Sequence, residues 1–344
     1  MPLLITSDLD YLTARLHGRK SRLAEAARLD ELCRLRSIAE LGKEIFPGET
    51  FQTATALQRR LIANLITEMS ENSAQLAAHE SRFLAWNLTR FQIENLKILV
   101  RGFLNRTAIE ELREQLLPLP TASELNAEEF LAAKTLEAFT DLLPHDSLQE
   151  SFAKILKSHR DDRSPFFFEA ALDRGYFQAL IARLDSLASE DRELVAPLVS
   201  QEIDTFHLML AVRGRFIHQL KPESLRPLHI AGTTIPRGLF EAMLGDSDLA
   251  TISHRVIGRV IDSVPQASEP ASLESLAWHR FLRLSNRAFR RSHIGFAAVI
   301  GYFGIRRIEI SNLITLSEGI RLGLPADSIR ARLIPRTRME AADV

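Results

Sequence analysis

Gln92-Ile93-Glu94-Asn95-Leu96-Lys97-Ile98-Leu99-Val100-Arg101-Gly102 is written twice more in this 344-residue chain in altered form. The second version is Asp204-Thr205-Phe206-His207-Leu208-Met209-Leu210-Ala211-Val212-Arg213-Gly214, and the third is Glu309-Ile310-Ser311-Asn312-Leu313-Ile314-Thr315-Leu316-Ser317-Glu318-Gly319. Each has an acid or amide, Asn or His three residues on, Leu next, and Gly six residues after that Leu. Asn95 lies 112 positions before His207, and His207 lies 105 before Asn312. Leu96, Leu99, Val100 and Phe103 recur at the helical period, as do Leu313, Leu316 and Ile320, so each stretch predicts a helix with one apolar stripe. Gln92 with Asn95, Asp204 with His207 and Glu309 with Asn312 then share a face, being three residues apart. Gly102, Gly214 and Gly319 follow the stripe, where a helix C-cap or a close backbone approach calls for glycine.

The 105-residue offset extends upstream without a gap. It pairs Pro165 with Pro270, Glu169 with Glu274, Tyr176 with Phe281 and Ile203 with Ile308. Downstream, Pro222-Glu223-Ser224-Leu225-Arg226 matches Pro325-Ala326-Asp327-Ser328-Ile329-Arg330 after a shift of two, and Thr107-Ala108-Ile109-Glu110-Glu111-Leu112 is a looser first copy. Length alone gives about two domains at roughly 150 residues each. The repeat instead predicts three similar helical units, 1–120, 121–235 and 236–344.

Elsewhere the pattern is helical as well. Leu12, Leu16, Leu23, Leu29, Leu32, Leu35, Ile38 and Leu41 predict an amphipathic run over 8–44 that breaks at Pro47-Gly48. Long helices follow over 54–116, and a further helical segment opens on Thr121-Ala122-Ser123-Glu124, a capping-type start, and runs to Pro144. Asp161-Asp162-Arg163-Ser164-Pro165 and the stretch from Asp262 to Ala271 are polar breaks. No alternating run with hairpin chemistry occurs. The fold class read from this pattern is all-α.

Composition narrows function. Lys and Arg number 43 against 44 Asp and Glu, a net charge of −1, which is not the footprint of a general polyanion binder. Cys33, the single cysteine, leaves no intramolecular disulfide or cysteine metal cluster, and within a helical pattern it reads as a small core residue. The N-terminal Met1-Pro2-Leu3-Leu4-Ile5-Thr6-Ser7-Asp8 has neither the basic nor the long apolar region of a signal peptide. The longest strongly apolar stretch, Phe296 to Ile305, is ten residues, half of what a bilayer span needs.

Reaction chemistry is missing from the pattern. His17-Gly18-Arg19-Lys20-Ser21 lacks the glycine spacing of a phosphate loop, and His79-Glu80 is not followed by the second His of a zinc helix. Gly245-Asp246-Ser247-Asp248-Leu249 is no nucleophile elbow. Asp161-Asp162 has no further acid one turn on and reads as a solvated linker. The prediction is therefore no catalytic residue, no cofactor, no metal, no nucleic acid and no small-molecule substrate. The repeated polar position has two readings: a face turned to a common partner, or a hydrogen bond that caps or packs the helix.

The closing unit, Phe296-Ala297-Ala298-Val299-Ile300-Gly301-Tyr302-Phe303-Gly304-Ile305-Arg306-Arg307-Ile308-Glu309-Ile310-Ser311-Asn312-Leu313, resembles the signature of the C subunit of V-type and A-type ATPases, the counterpart of the eukaryotic vacuolar ATPase d subunit. There an apolar run reaches a Tyr, a short charged turn follows, and then Glu-x-x-Asn-Leu. Glu169-Ala170-Ala171-Leu172-Asp173-Arg174-Gly175-Tyr176-Phe177 resembles the family's middle unit. Tyr11-Leu12-Thr13-Ala14-Arg15 with Lys20-Ser21-Arg22-Leu23 resembles its opening helix, and Asn95-Leu96-Lys97 with Arg101 its first repeat end. Gln92, His207 and Glu318 depart from the pattern, the last standing where an Arg is expected. The resemblance implies an all-helical funnel of three similar units with pseudo-threefold symmetry. It implies a non-catalytic rotor component on the cytoplasmic side of the membrane, peripheral to it, joining the central stalk to the proteolipid ring of an ion-translocating ATPase or ATP synthase. The turns after Gly102, Gly214 and Gly319 are the expected stalk contacts. The alternative from the residues alone is a helical scaffold or adaptor, which would form an open solenoid.

Overall fold

Leucine- and alanine-rich amphipathic runs satisfy their backbone within helices, and the computed structural model, which describes residues 8–159, 164–265, 269–292 and 294–334, is built from them. In chain order these are α1 (Asp8–Lys20), α2 (Ala26–Leu32), α3 (Ile38–Ile45), α4 (Ala54–Ser73), α5 (Ala78–Asn105), α6 (Ile109–Arg113), α7 (Ala127–Ala132), α8 (Leu136–Asp141) and α9 (Asp146–Ser158). Then come α10 (Pro165–Leu184), α11 (Ser189–Val212), α12 (Pro222–Leu225), α13 (Arg237–Gly245), α14 (Leu249–Val256), α15 (Pro270–Ser292), α16 (Phe296–Arg321) and α17 (Ala326–Arg330). Among the described residues there is no strand, so the fold is all-α.

The chain divides into two compact units, one made of residues up to Ala77 together with those from Trp278 on, the other Ala78–Ala277. In the first, α16 packs against α4, α1 and α3. Ala297, Ala298 and Val299 are fully buried, as are Leu12, Leu16, Leu57 and Leu61. A Cβ at Gly301 would stand 2.5 Å from the Phe289 nitrogen and 2.7 Å from the Ser285 carbonyl oxygen, so α15 and α16 cross at a separation that only glycine permits. In the second unit α10 packs on α9, α5 and α11. Phe139, Phe152 and Phe168 form a buried aromatic chain there, with successive centroids 5.8 and 5.0 Å apart. Each ring contributes about 1.5–3 kcal/mol by leaving water.

Roles recur along the chain. α5, α11 and α16 carry the three aligned stretches, and each is followed by a short helix, α6, α12 or α17. α10 packs on α5, and α4 packs on α16. The start of α15 meets α11, where Gln201 Nε2 donates to the Ala277 carbonyl at 3.0 Å.

The 8–44 run is three helices, not one. It stops at Lys20 and again at Leu32, and restarts at Ile38 because Ser37 accepts the Glu40 N–H at 3.2 Å while Glu40 reaches back to the Arg36 N–H at 3.1 Å. Cys33 lies just past α2, buried, and burial raises its thiol pKa. Thr121–Ser123 is a single 3₁₀ turn, and the first helix of that segment starts later, capped by Asn126, whose Oδ1 accepts the Glu129 N–H at 3.3 Å. The charged residues after Tyr302 form no turn, since α16 runs through them without a break. Residues 1–7, the Asp161-Asp162-Arg163 linker and the tail 335–344 lie outside the described residues.

Candidate functional site

Each aligned stretch ends its helix by the same device, and the repeated polar residue closes it. Asn95 Nδ2 donates to the Leu117 carbonyl at 3.0 Å, and its Oδ1 accepts the Leu117 N–H at 2.7 Å. Asn312 treats Ile334 in the same way at 2.9 and 2.8 Å, and in both copies the partner is 22 residues on. In the second copy His207 Nε2 accepts the Ile230 N–H at 3.0 Å, which places the ring proton on Nδ1, 3.7 Å from Asp204 Oδ1. Of the two readings of the polar position, the hydrogen bond that fixes packing is the one realised. Asn95 and His207 face their own chain, not solvent.

The residue three positions earlier holds the chain where it enters a further helix. Gln92 Nε2 donates to the Ser123 carbonyl at 3.1 Å, ahead of α7. Asp204 accepts the N–H groups of Thr234 and Ile235, each at 3.1 Å, and the Thr234 hydroxyl at 2.6 Å, ahead of α13. Glu309 accepts the Ala24 N–H at 2.6 Å, ahead of α2. Burial works against the Asp204 charge, yet the nearby His207 ring and the donors of Thr234 and Ile235 outweigh it and hold the carboxyl below its usual range. Burial pushes the His207 pKa down.

The glycines are not C-caps. Gly102 and Gly319 lie within their helices, and each of the three takes an aliphatic side chain from the short helix that follows: Leu112, Leu225 or Ile329. A Cβ at Gly214 would stand 2.8 Å from Leu225 Cδ1, and one at Gly319 2.6 Å from Ile329 Cγ1. Beyond them Arg106 (φ 56°), Gln219 (φ 53°) and Gly323 (φ 66°) are left-handed, as a Schellman closure requires. Thr107 N–H donates to the Gly102 carbonyl and Leu324 N–H to that of Gly319, both at 2.9 Å and five residues apart. Leu220 N–H reaches the Gly214 carbonyl at 2.8 Å, six residues back. The extra residue is absorbed by a π turn at Arg213–Ile217. Downstream landmarks of the second copy are therefore displaced by one residue against the third, not two, and Leu225 corresponds to Ile329.

The arginine position of the motif has a repeated partner. Arg101 pairs with Glu169 at 2.7 Å and Arg213 with Glu274 at 2.6 Å. Glu169 and Glu274 are the fifth residues of α10 and α15, and the fifth residue of α4 is Gln58. Gln58 Nε2 donates to Glu318 at 2.7 Å. Where the helix carries Glu in place of Arg, its partner is a neutral donor in place of Glu. Aligning α4 with α10 would have found this pair in the sequence, because Gln58 and Glu318 are odd in compensating ways.

Buried charge backs each unit. Glu68 accepts the Tyr302 hydroxyl and an Arg19 N–H, both at 2.7 Å, and Arg306 Nε at 3.2 Å, and Arg306 also pairs with Glu309. Burial opposes the Arg306 charge, but Glu309 and Glu68 outweigh it. Burial and Glu68 raise the Tyr302 hydroxyl pKa, so that it donates as a neutral phenol. In the other unit Arg90 pairs with Glu202, and Lys97 with Asp173 at 2.7 Å. These groups are ion-paired to one another. Among the described residues no three His, Cys, Asp or Glu side chains converge to hold a metal, and no helix is long and apolar enough to cross a membrane.

A sequence model of the ATP synthase (C/AC39) subunit family matches residues 12–332. The chain belongs to that family. It is similar to the C subunit of the A-type ATP synthase of Methanosarcina mazei, 24% identical over 341 residues that cover 96% of this chain and 93% of the relative. The A-type ATP synthase C subunits of Halobacterium salinarum (22% identical, 95% and 98% covered) and Pyrococcus abyssi (20%, 93% and 88%) match over similar spans. As a member of the C/AC39 family the chain is a non-catalytic part of a rotary ATPase.

Proposed function

We propose that this chain couples the central stalk to the membrane proteolipid ring, from the cytoplasmic side and peripheral to the membrane, with neither cofactor nor substrate. In this reading the units 1–120, 121–235 and 236–344 close about a common axis as a funnel, and the turns after Gly102, Gly214 and Gly319 meet the stalk. One observation carries it. The last long helix, α16, takes α4 near the chain's beginning through Gln58 and Glu318, the same contact that α5 makes with α10 and α11 with α15. A repeat whose final copy pairs with its first suits a closed collar better than an open solenoid. Two of the three turns carry exposed apolar side chains, Ile217 at 54% and Leu322 at 56% exposure, which suits a partner surface. Long packed helices supply the stiffness that torque transmission needs.

Native mass spectrometry of the complex extracted from its membrane tests the proposal. The expected result is subcomplexes that hold this chain with stalk proteins and with the ring. A chain that leaves with neither contradicts it.

A further inference from the structure

The three copies differ in length at one place. From the residue that caps the first short helix to the residue that caps the next, Glu25 to Ser37 and Pro236 to Asp248 each span twelve positions, whereas Asn126 to Thr135 spans nine. Nearly one helical turn is missing from the copy that follows α6. In the two longer copies that turn is buried: Leu32 and Cys33 in one, Met243 and Leu244 in the other. The second copy is closed further by Arg215, whose Nε donates to the Leu244 carbonyl and Nη1 to the Leu220 carbonyl, both at 2.9 Å. The position equivalent to Arg215 in the first copy is Phe103, which turns instead to Phe139 at 5.4 Å.

At the shortened place the structure has a cavity of about 790 Å³, within the range of ligand sites. Its apolar wall includes Gly102, Phe103, Leu131, Leu136 and Leu156. Arg106 and Lys134 also line it, both exposed and neither in an ion pair among the described residues, against a single carboxylate, Glu137. The lining is mixed, with Thr107 and Thr135 beside the charged groups, and the hollow stays open where the other two copies fill the equivalent place with their own turn.

We infer that this cavity receives a short helical turn of a neighbouring protein of the complex, with an acidic side chain beside Arg106 and Lys134. The occupant takes the place that the chain's own turn fills at the other two junctions, which is why a helical turn fits it. The net positive lining selects the acidic flank. The inference rests on membership of a rotary ATPase assembly and not on the coupling role.

The test uses the assembled complex, with Lys134 replaced by photoreactive p-benzoylphenylalanine. The expected result is a crosslink to one other protein of the complex. That crosslink should vanish when Met-Leu-Gly, copied from Met243–Gly245, is inserted after Ala132 to restore the twelve-residue spacing. The filled variant should melt no lower than the parent and bind the complex at least tenfold more weakly. Should the insertion fail to fold, Arg106→Glu with Lys134→Glu takes its place, with the same loss expected. No crosslink from position 134, or undiminished binding by the folded filled or charge-reversed protein, overturns the inference. The same probe at Ile217 reports on the stalk contact separately, so either idea can fail alone.

Discussion

His207 and Asn312 hold the same turn with different chemistry. Asn312 grips both the N–H and the carbonyl of Ile334, while His207 takes only the N–H of Ile230 and leaves the backing to Asp204 and Thr234. The second copy also carries the π turn that lengthens its closure by one residue. The module thus fixes a backbone geometry, not a residue type. Any buried acceptor at that helix position serves if it meets the returning N–H. The two solutions differ in what breaks them, because an amide does not titrate and an imidazole does.

The largest separation between them comes from the charges behind the third copy. Glu68→Ala leaves Arg306 without one of its carboxylates and Tyr302 without its acceptor, and should cost about 3–5 kcal/mol in a denaturant melt. The second copy has its own buried group, Glu202 with Arg90 beside the Tyr176 hydroxyl, and Asp204→Asn there should cost less because the Asp204 partners include hydroxyl and backbone donors. Next in size are the clamps. Asn95→Ala and Asn312→Ala each strand a backbone N–H and a carbonyl, and each should lower stability by about 1–3 kcal/mol. Equal stability of both alanine variants with the parent would show that the clamps hold nothing.

A titration then isolates the second copy. The His207 pKa is lowered in the folded protein, so its contribution is fully present above the unfolded value near 6.5 and is lost as pH falls towards its folded pKa. Between pH 7.5 and 5 that contribution should fall by at most about 2 kcal/mol. Hydrogen exchange at the Ile230 amide should accelerate accordingly, relative to its intrinsic rate, while Leu117 and Ile334 hold steady. His207→Asn should remove the difference. The smallest effect belongs to the swapped pair. Gln58→Glu combined with Glu318→Arg rebuilds the arrangement of the other two copies on a partly exposed surface and should change stability by no more than about 0.5 kcal/mol. Either change alone should be the less stable, which a double-mutant cycle reads directly.

Much of this architecture was legible from residue spacing. The apolar stripes of α5, α11 and α16, and the glycine seven residues after each Asn or His, repeat too regularly to be anything but one helix used three times. The breaks after Lys20 and Leu32 were hidden because leucine and arginine continue to favour helix through both, and only the Ser37 cap marks the restart. The π turn left a one-residue displacement that sequence cannot tell from a change in loop length. Clamp partners were invisible for a plainer reason: Leu117, Ile230 and Ile334 contribute backbone, and their side chains carry no signal. The missing turn before Thr135 needed the capping residues of three copies side by side before its length meant anything.

A cryo-electron microscopy map of the intact rotary complex tests the central claim most directly. One copy of this chain should be seated on the ring, with the turns at 105–108, 218–221 and 322–325 disposed around the tip of the stalk. A map in which the chain lies off the rotation axis, or in which those three turns face away from the stalk, would contradict it.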